Sequence, residues 1–344
     1  MLTSLLAIII LIAACSPAAP GTTAAPAEGE RLRVVASLSP IKNIVYNIGG
    51  DRIDLVGILP PGVDPHTFEP KPSDAVKVAE ADLIFLNGIH LDETTLKLAE
   101  ANLKEGAEII ELAAAVAGPD ELIYGIEHHH GHAEEEGHDD DDDEHGHDEE
   151  EGEPDPHLLL DPNFVIRYAK VVFVTLSAHD PDNRDYYEAN FNEYTARLLA
   201  LDEAIQATTA TIPESNRRLL TYHDSFGYFA IRYGYTVIGA IQPNDTSQPS
   251  AQEVAALIVQ LLDEDVPAIF GSALFPADVL EQIASATGAS VRTLRDEDLP
   301  GAPGDPEHTY IGMMVENLRT LAESLGGDSS LMDGVDVGNV PDSE

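Results

Sequence analysis

Two stretches of this chain alternate short apolar strands with amphipathic helices, and about 50 residues of nearly unbroken helical periodicity separate them. Strands that alternate with helices pack as a parallel sheet covered by helices on both faces. In the first stretch the pattern predicts strands at 33–37, 53–58 and 83–88 and helices at 40–48 and 73–81. In the second it predicts strands at 219–222, 236–238, 268–270 and 290–294, helices at 225–233, 251–262 and 277–286, and a final helix at 309–325. Between them, residues 161–211 read as helix, interrupted only at His179-Asp180-Pro181-Asp182. Over 184–211, Tyr187, Phe191, Tyr194, Leu198, Leu201 and Ile205 recur at helical spacing. At about 1.5 Å per residue that helix would run roughly 40 Å, enough to brace two lobes. A chain of 344 residues also exceeds one domain of about 100–150 residues. The expected class is therefore α/β. Two lobes, 32–183 and 213–325, each hold a mostly parallel sheet flanked by helices, and one long backbone helix, 184–212, joins them. The Gly- and Asp-rich tail, 326–344, is expected to be disordered.

The first residues read Met-Leu-Thr-Ser-Leu-Leu-Ala-Ile-Ile-Ile-Leu-Ile-Ala-Ala-Cys, too short an apolar run to cross a bilayer as a helix, which takes about 20 residues. It fits an export signal over 1–15. Its end, Ile12-Ala13-Ala14-Cys15, resembles a bacterial lipoprotein signal, which implies lipidation of Cys15 and an extracytoplasmic, membrane-anchored chain. Cys15 is the only cysteine, so no internal disulfide can form. No Lys or Arg precedes the apolar run, a departure from the usual pattern. Residues 16–31 are small and proline-rich, as expected of a flexible tether.

The formal charge is −44, from 62 acidic and 18 basic residues, which opposes binding to nucleic acid and to anionic membrane surfaces. Cations are the partners it suits. Much of the charge sits in a run over 126–153, where His128, His129, His130, His132, His138, His145 and His147 stand among many Asp and Glu. Charge repulsion should keep such a run open and solvated. The same density of imidazole and carboxylate would bind several divalent ions weakly.

Three other histidines stand apart: His66 in Gly-Val-Asp-Pro-His-Thr-Phe-Glu-Pro, His157 in Asp-Pro-His-Leu-Leu-Leu-Asp-Pro, and His223 in Thr-Tyr-His-Asp-Ser-Phe-Gly-Tyr. Each falls at or after an expected strand end, the edge where ligands bind in open α/β sheets. One such histidine is more often structural than a ligand, but three in comparable positions point to a shared site. His90, His179 and His308 read as exposed structural residues, with a place near the cleft as the alternative for His90, which follows a strand end.

Taken in order, these three segments resemble the zinc/manganese-binding solute-binding proteins of ABC importers, over roughly residues 33–325. The resemblance implies two lobes joined by one long helix, with a metal ion in the cleft. It implies His66 and His157 as ligands from the first lobe, His223 from the second, and an acidic fourth ligand in Leu294-Arg295-Asp296-Glu297-Asp298-Leu299. Asp296 is the expected residue there, with Asp298 or a water as alternatives. It also implies a monomer that hands its ion to a membrane permease driven by a separate ATPase subunit. Three imidazoles and one carboxylate favour zinc over manganese, although copper and nickel accept similar ligands. Relatives of the manganese type carry Glu where this chain has His223. Two departures are the absence of Trp near the second ligand, where Leu158-Leu159-Leu160 stand, and Lys71 near the first. The rival classes are a secreted zinc hydrolase and a surface adhesin. Against the hydrolase, the sequence holds no His-Glu-x-x-His motif and no nucleophile elbow.

Overall fold

A computed structural model describes residues 31–124, 153–242, 249–264, 266–274 and 277–343. The expected signal with Cys15, the tether up to Glu30 and the seven histidines of the acidic run lie outside the described residues.

The first half runs β1 (Leu32–Ala36), α1 (Ser39–Gly49), β2 (Ile53–Gly57), α2 (Pro72–Glu80), β3 (Leu83–Leu86), α3 (Glu93–Asn102), β4 (Glu108–Glu111) and α4 (Leu112–Val116). Its strands form one parallel sheet in the order β2-β1-β3-β4. The position of each strand explains its composition. Inner β3 is Leu-Ile-Phe-Leu and wholly buried, whereas edge β2 alternates buried Ile53 with exposed Asp54. Helix α1 starts with Pro40 in its first turn, where the missing N–H costs nothing, and buries Ile41, Ile44, Val45 and Ile48 along one stripe.

Two helices follow, α5 (Pro162–His179) and α6 (Arg184–Thr211). Asp161 caps α5 by accepting from the Asn163 N–H, and Pro162 opens it. Pro181 forces the break before α6, which runs 28 residues and buries Tyr187, Tyr194, Leu198, Leu201 and Ile205. The second half repeats the plan of the first with β5 (Arg218–His223), α7 (Gly227–Tyr233), β6 (Thr236–Gln242), α8 (Ala251–Glu264), β7 (Ala268–Ser272), α9 (Asp278–Thr287), β8 (Ser290–Leu294) and α10 (Tyr310–Leu325). Its parallel sheet has the order β6-β5-β7-β8, the same as the first. Helix α6 packs on α1 and α5 of the first half and on α7 and α10 of the second. One apolar core therefore continues through both halves, and a smaller one lies beneath α8 and α9.

Three parts of the pattern differ from expectation, the first being helices α3 and α4, which no expected element covers. Strand β4 goes unpredicted because Glu108-Ile-Ile-Glu111 carries only two apolar residues. The tail, expected to be disordered over 326–344, instead packs across α1 and α6 as far as the described residues extend. Met332 and Val340 are buried, and two short 3-10 turns, Ser329–Met332 and Val340–Ser343, shape it. Asn339 accepts hydrogen bonds from the Asn43 and Asn47 amides at 2.8 and 3.2 Å, and the Val340 N–H donates to Asn47 at 2.8 Å. Arg197 of α6 donates to the Gly338 carbonyl at 2.9 Å. Isolated apolar anchors and buried asparagine amides hold the segment, so its polar composition misleads.

Candidate metal centre

His66 stands in the loop after β2. The Asp64 carboxylate accepts from the His66 backbone N–H at 2.9 Å and from the Thr67 hydroxyl at 2.7 Å, a closed turn that Pro65 stiffens. His157 repeats the device: in Asp155-Pro156-His157 the Asp155 carboxylate accepts from the His157 N–H at 2.9 Å. Here the same oxygen also lies 2.7 Å from the ring Nδ1, a contact that fixes the ring and turns Nε2 toward the site. The Asn87 amide donates to the Pro156 carbonyl at 2.9 Å, and Leu158, Leu159 and Leu160 plug the core behind the ligand. The missing Trp thus leaves no gap. His223 is the last residue of β5, its carbonyl accepting from the Thr221 hydroxyl at 2.7 Å.

These three rings converge. Their centroids lie 4.9 to 5.7 Å apart, and Nε2 of His157 and His223 are 3.0 Å from one another. The fourth group is Glu297, which sequence reasoning passed over. Its Oε1 lies 3.1 Å from Nε2 of both His66 and His157, and one ligand atom from each of the four residues fits within 4.8 Å. Asp296, the expected fourth ligand, is not in this group. Its side chain is buried but accepts from the Ser225 and Ser272 hydroxyls at 2.9 and 3.4 Å. Asp298 accepts from Ser39 at 3.3 Å. Adjacent residues leaving a strand face different ways, and a run of three acids offers no pattern to tell which one turns inward.

Burial disfavours charge on His157, yet the Asp155 and Glu297 carboxylates outweigh it and hold the imidazole pKa well above its usual value. Burial would raise the Glu297 pKa, but hydrogen bonds from His157 and His66 hold it far below the usual carboxylate range. Asp296 is pushed up, first by burial and then by the charge of Glu297. Three imidazole nitrogens and a carboxylate brought this close need a cation among them, either protons or a metal ion.

The other singled-out residues are outside the four-residue group, although His90 lines the cleft above it. His90 is exposed beside Glu93, His179 meets Glu108 at 3.0 Å, and His308 meets the Pro300 carbonyl at 3.0 Å. Lys71 is exposed, with its N–H donating to Asp74 to cap α2. A cleft of about 800 Å³ opens over the histidines, walled by Tyr124 and Glu153 on one side and Asp224 and Ile231 on the other. Tyr124 and Glu153, the described residues on either side of the histidine-rich run, both line this cleft.

The ZnuA family, zinc-uptake complex component A, periplasmic, matches residues 34–324. The manganese ABC transporter substrate-binding lipoprotein PsaA of Streptococcus mitis is 33% identical, over 93% of this chain and 96% of its own. The manganese-binding lipoprotein MntA of Halalkalibacterium halodurans is 27% identical over the same shares. Among solved structures, the periplasmic zinc-binding protein TroA from Treponema pallidum superposes with a TM-score of 0.74 at 26% identity, over 86% of this chain and 99% of its own. An Mn-bound periplasmic metal-binding protein from Candidatus Liberibacter asiaticus superposes with a TM-score of 0.69 at 25% identity, over 86% and 100%. With the family matched from the first strand to the last helix, this chain belongs to the ZnuA family of metal substrate-binding proteins of ABC transporters, which carry ions and are not enzymes.

Proposed function

We propose that this protein captures zinc outside the cytoplasm, holds it between the lobes on His66, His157, His223 and Glu297, and delivers it to an ABC permease. The observation that carries the reading is the convergence of three Nε2 atoms and one carboxylate oxygen, drawn from both sheets, within 4.8 Å. Three nitrogens and one oxygen at that spacing match a closed, four-coordinate zinc site, which needs no water to complete it. The permease and its ATPase are separate subunits, and the protein acts as a monomer. Lipidation at Cys15 holds it to the membrane, in keeping with the lipoprotein names of its relatives. The described residues hold no helix long and apolar enough to cross a membrane. The seven histidines of the acidic run bind further ions weakly.

A manganese reading has its own support. PsaA and MntA are both named for manganese, and Glu297 Oε2 is buried without a hydrogen-bond partner. That oxygen could make the carboxylate bidentate and so serve an ion that prefers more oxygen ligands. Calorimetry with zinc and manganese on protein lacking residues 126–153, beside the same protein carrying His223→Ala, decides. One tight zinc site, weakened by the substitution, is expected. Tighter binding of manganese than zinc would transfer the assignment, and no tight site for either would end the importer reading.

A further inference from the structure

We propose that Asp296 is a positioning residue of the metal site, which sets the angle between His223 and Glu297 without touching the ion. The proposal rests on the ligand set given above. Asp296 is 2% exposed, and its carboxylate makes three hydrogen bonds. The Ser225 hydroxyl donates to Oδ2 at 2.9 Å, and the Ser272 hydroxyl and the Glu297 N–H donate to Oδ1 at 3.4 and 3.2 Å. Those donors belong to three different connections. Ser225 follows His223 by two residues, and its N–H returns to the His223 carbonyl at 3.1 Å. Ser272 ends β7, the strand between β5 and β8. Glu297 is itself the carboxylate ligand. One buried group thus ties the exit of β5 to the exit of β8 across the end of β7, and both ligands of the second lobe hang from the segments it joins.

Such a tie could use a neutral acceptor, yet a carboxylate stands here; among the described residues no Lys or Arg pairs with it, and the cationic groups that act on it are the His223 and His157 rings. The neighbouring Arg295 turns instead to Glu316 at 3.3 Å and Asp298 at 3.8 Å. What joins the two ligand-bearing segments is the hydrogen bonding of Asp296 to Ser225, Ser272 and the Glu297 N–H.

The test uses the full chain with zinc as titrant and cobalt(II) as a spectroscopic stand-in, whose visible absorption is intense only in tetrahedral sites. Asp296→Ala should weaken zinc binding by about 10–100-fold, as for other groups that orient ligands. It should also lower the cobalt absorption. Ser225→Ala, which keeps the carboxylate and removes one of its ties, should shift both readouts in the same direction by less, so a poorly folding Asp296→Ala leaves the idea testable. Unchanged zinc affinity and cobalt spectra in both variants would overturn the proposal. So would an Asp296→Ala protein that loses zinc entirely while Glu297→Ala binds normally, because Asp296 would then be the ligand. An unaltered protein that takes up no zinc would refute the functional reading itself, an outcome plainly separate from these.

Discussion

The two lobes share a strand order but present the converging side chains of the site by opposite means. In the first, each histidine sits two residues after an aspartate that grips its backbone, so Asp-Pro-His is a self-contained unit in a few residues of sequence. In the second, His223 ends a strand and Glu297 follows another, and the contacts that fix them come from residues up to 71 positions apart, as between Ser225 and Asp296. Local turns build one half of the site and tertiary packing builds the other. The first half should therefore be robust to changes elsewhere, and the second sensitive to them.

The largest effect should come from removing a ligand in either lobe. His157→Ala or His223→Ala should cost more in zinc affinity than the roughly 10–100-fold of an outer-shell change, measured by competition with a chelator. Equal retention of tight binding in both would break the comparison. Next come the two aspartates. Asp155 holds both the backbone and the ring of its histidine, whereas Asp64 holds only the backbone and the Thr67 hydroxyl. Asp155→Ala should lose about 10–100-fold in affinity and Asp64→Ala distinctly less. The reverse order would show that ring orientation is set by something other than Asp155.

Acidity should act through the first lobe. His157 in the metal-free protein keeps its proton to a pH above the usual imidazole value. Zinc must displace that proton, so affinity should fall as pH drops through this raised pKa, by about tenfold per unit for each proton released. For the metal-free fold the sign is opposite: the protonated ring stabilises it at low pH, and that contribution fades as pH rises through the folded pKa. Calorimetry in buffers of different ionisation enthalpy counts the protons, and a count of zero near neutral pH would contradict the ion pair.

A smaller effect belongs to the junction. Arg232 of α7 makes a two-pronged contact with Asp202 of α6 at 2.8 and 2.7 Å and reaches Asp161, the cap of α5, at 3.2 Å. Burial would raise the Asp202 pKa, but hydrogen bonds from Arg232 and Tyr233 lower it. Its contribution is present above the unfolded pKa and disappears as pH falls through the folded one. Arg232→Gln should cost about 1–3 kcal/mol in a denaturant melt at neutral pH and less in strong acid. An equal cost at both would locate the effect in packing alone.

Where the sequence was legible follows from the same contrast. Asp-Pro-His is short and self-explaining, so His66 and His157 stand out, and His223 is marked by its place at the end of a strongly apolar strand. Glu297 is not marked, because its inward turn depends on Asp296 being held by Ser225 and Ser272, neither adjacent to it in sequence. The alternation of β and α elements reveals both sheets, since inner parallel strands are continuous apolar runs. Edge strand β4 escapes because an edge requires only one buried face. The tail escapes because its anchors, Met332 and Val340, lie eight residues apart among glycines and acids.

That tail also governs how the molecule can be divided. Asn43 and Asn47 of α1 find their partners almost 300 positions later, in Asn339 and Val340, and the Tyr310 N–H donates to Asn43 at 2.9 Å. A fragment ending after α5 would strip Asn43 and Asn47 of these distant partners and uncover part of the apolar side of α1. The first lobe is therefore not an independent folding unit: its first helix is completed by a segment almost 300 positions downstream, and the cleft can assume its final form only once that segment has docked.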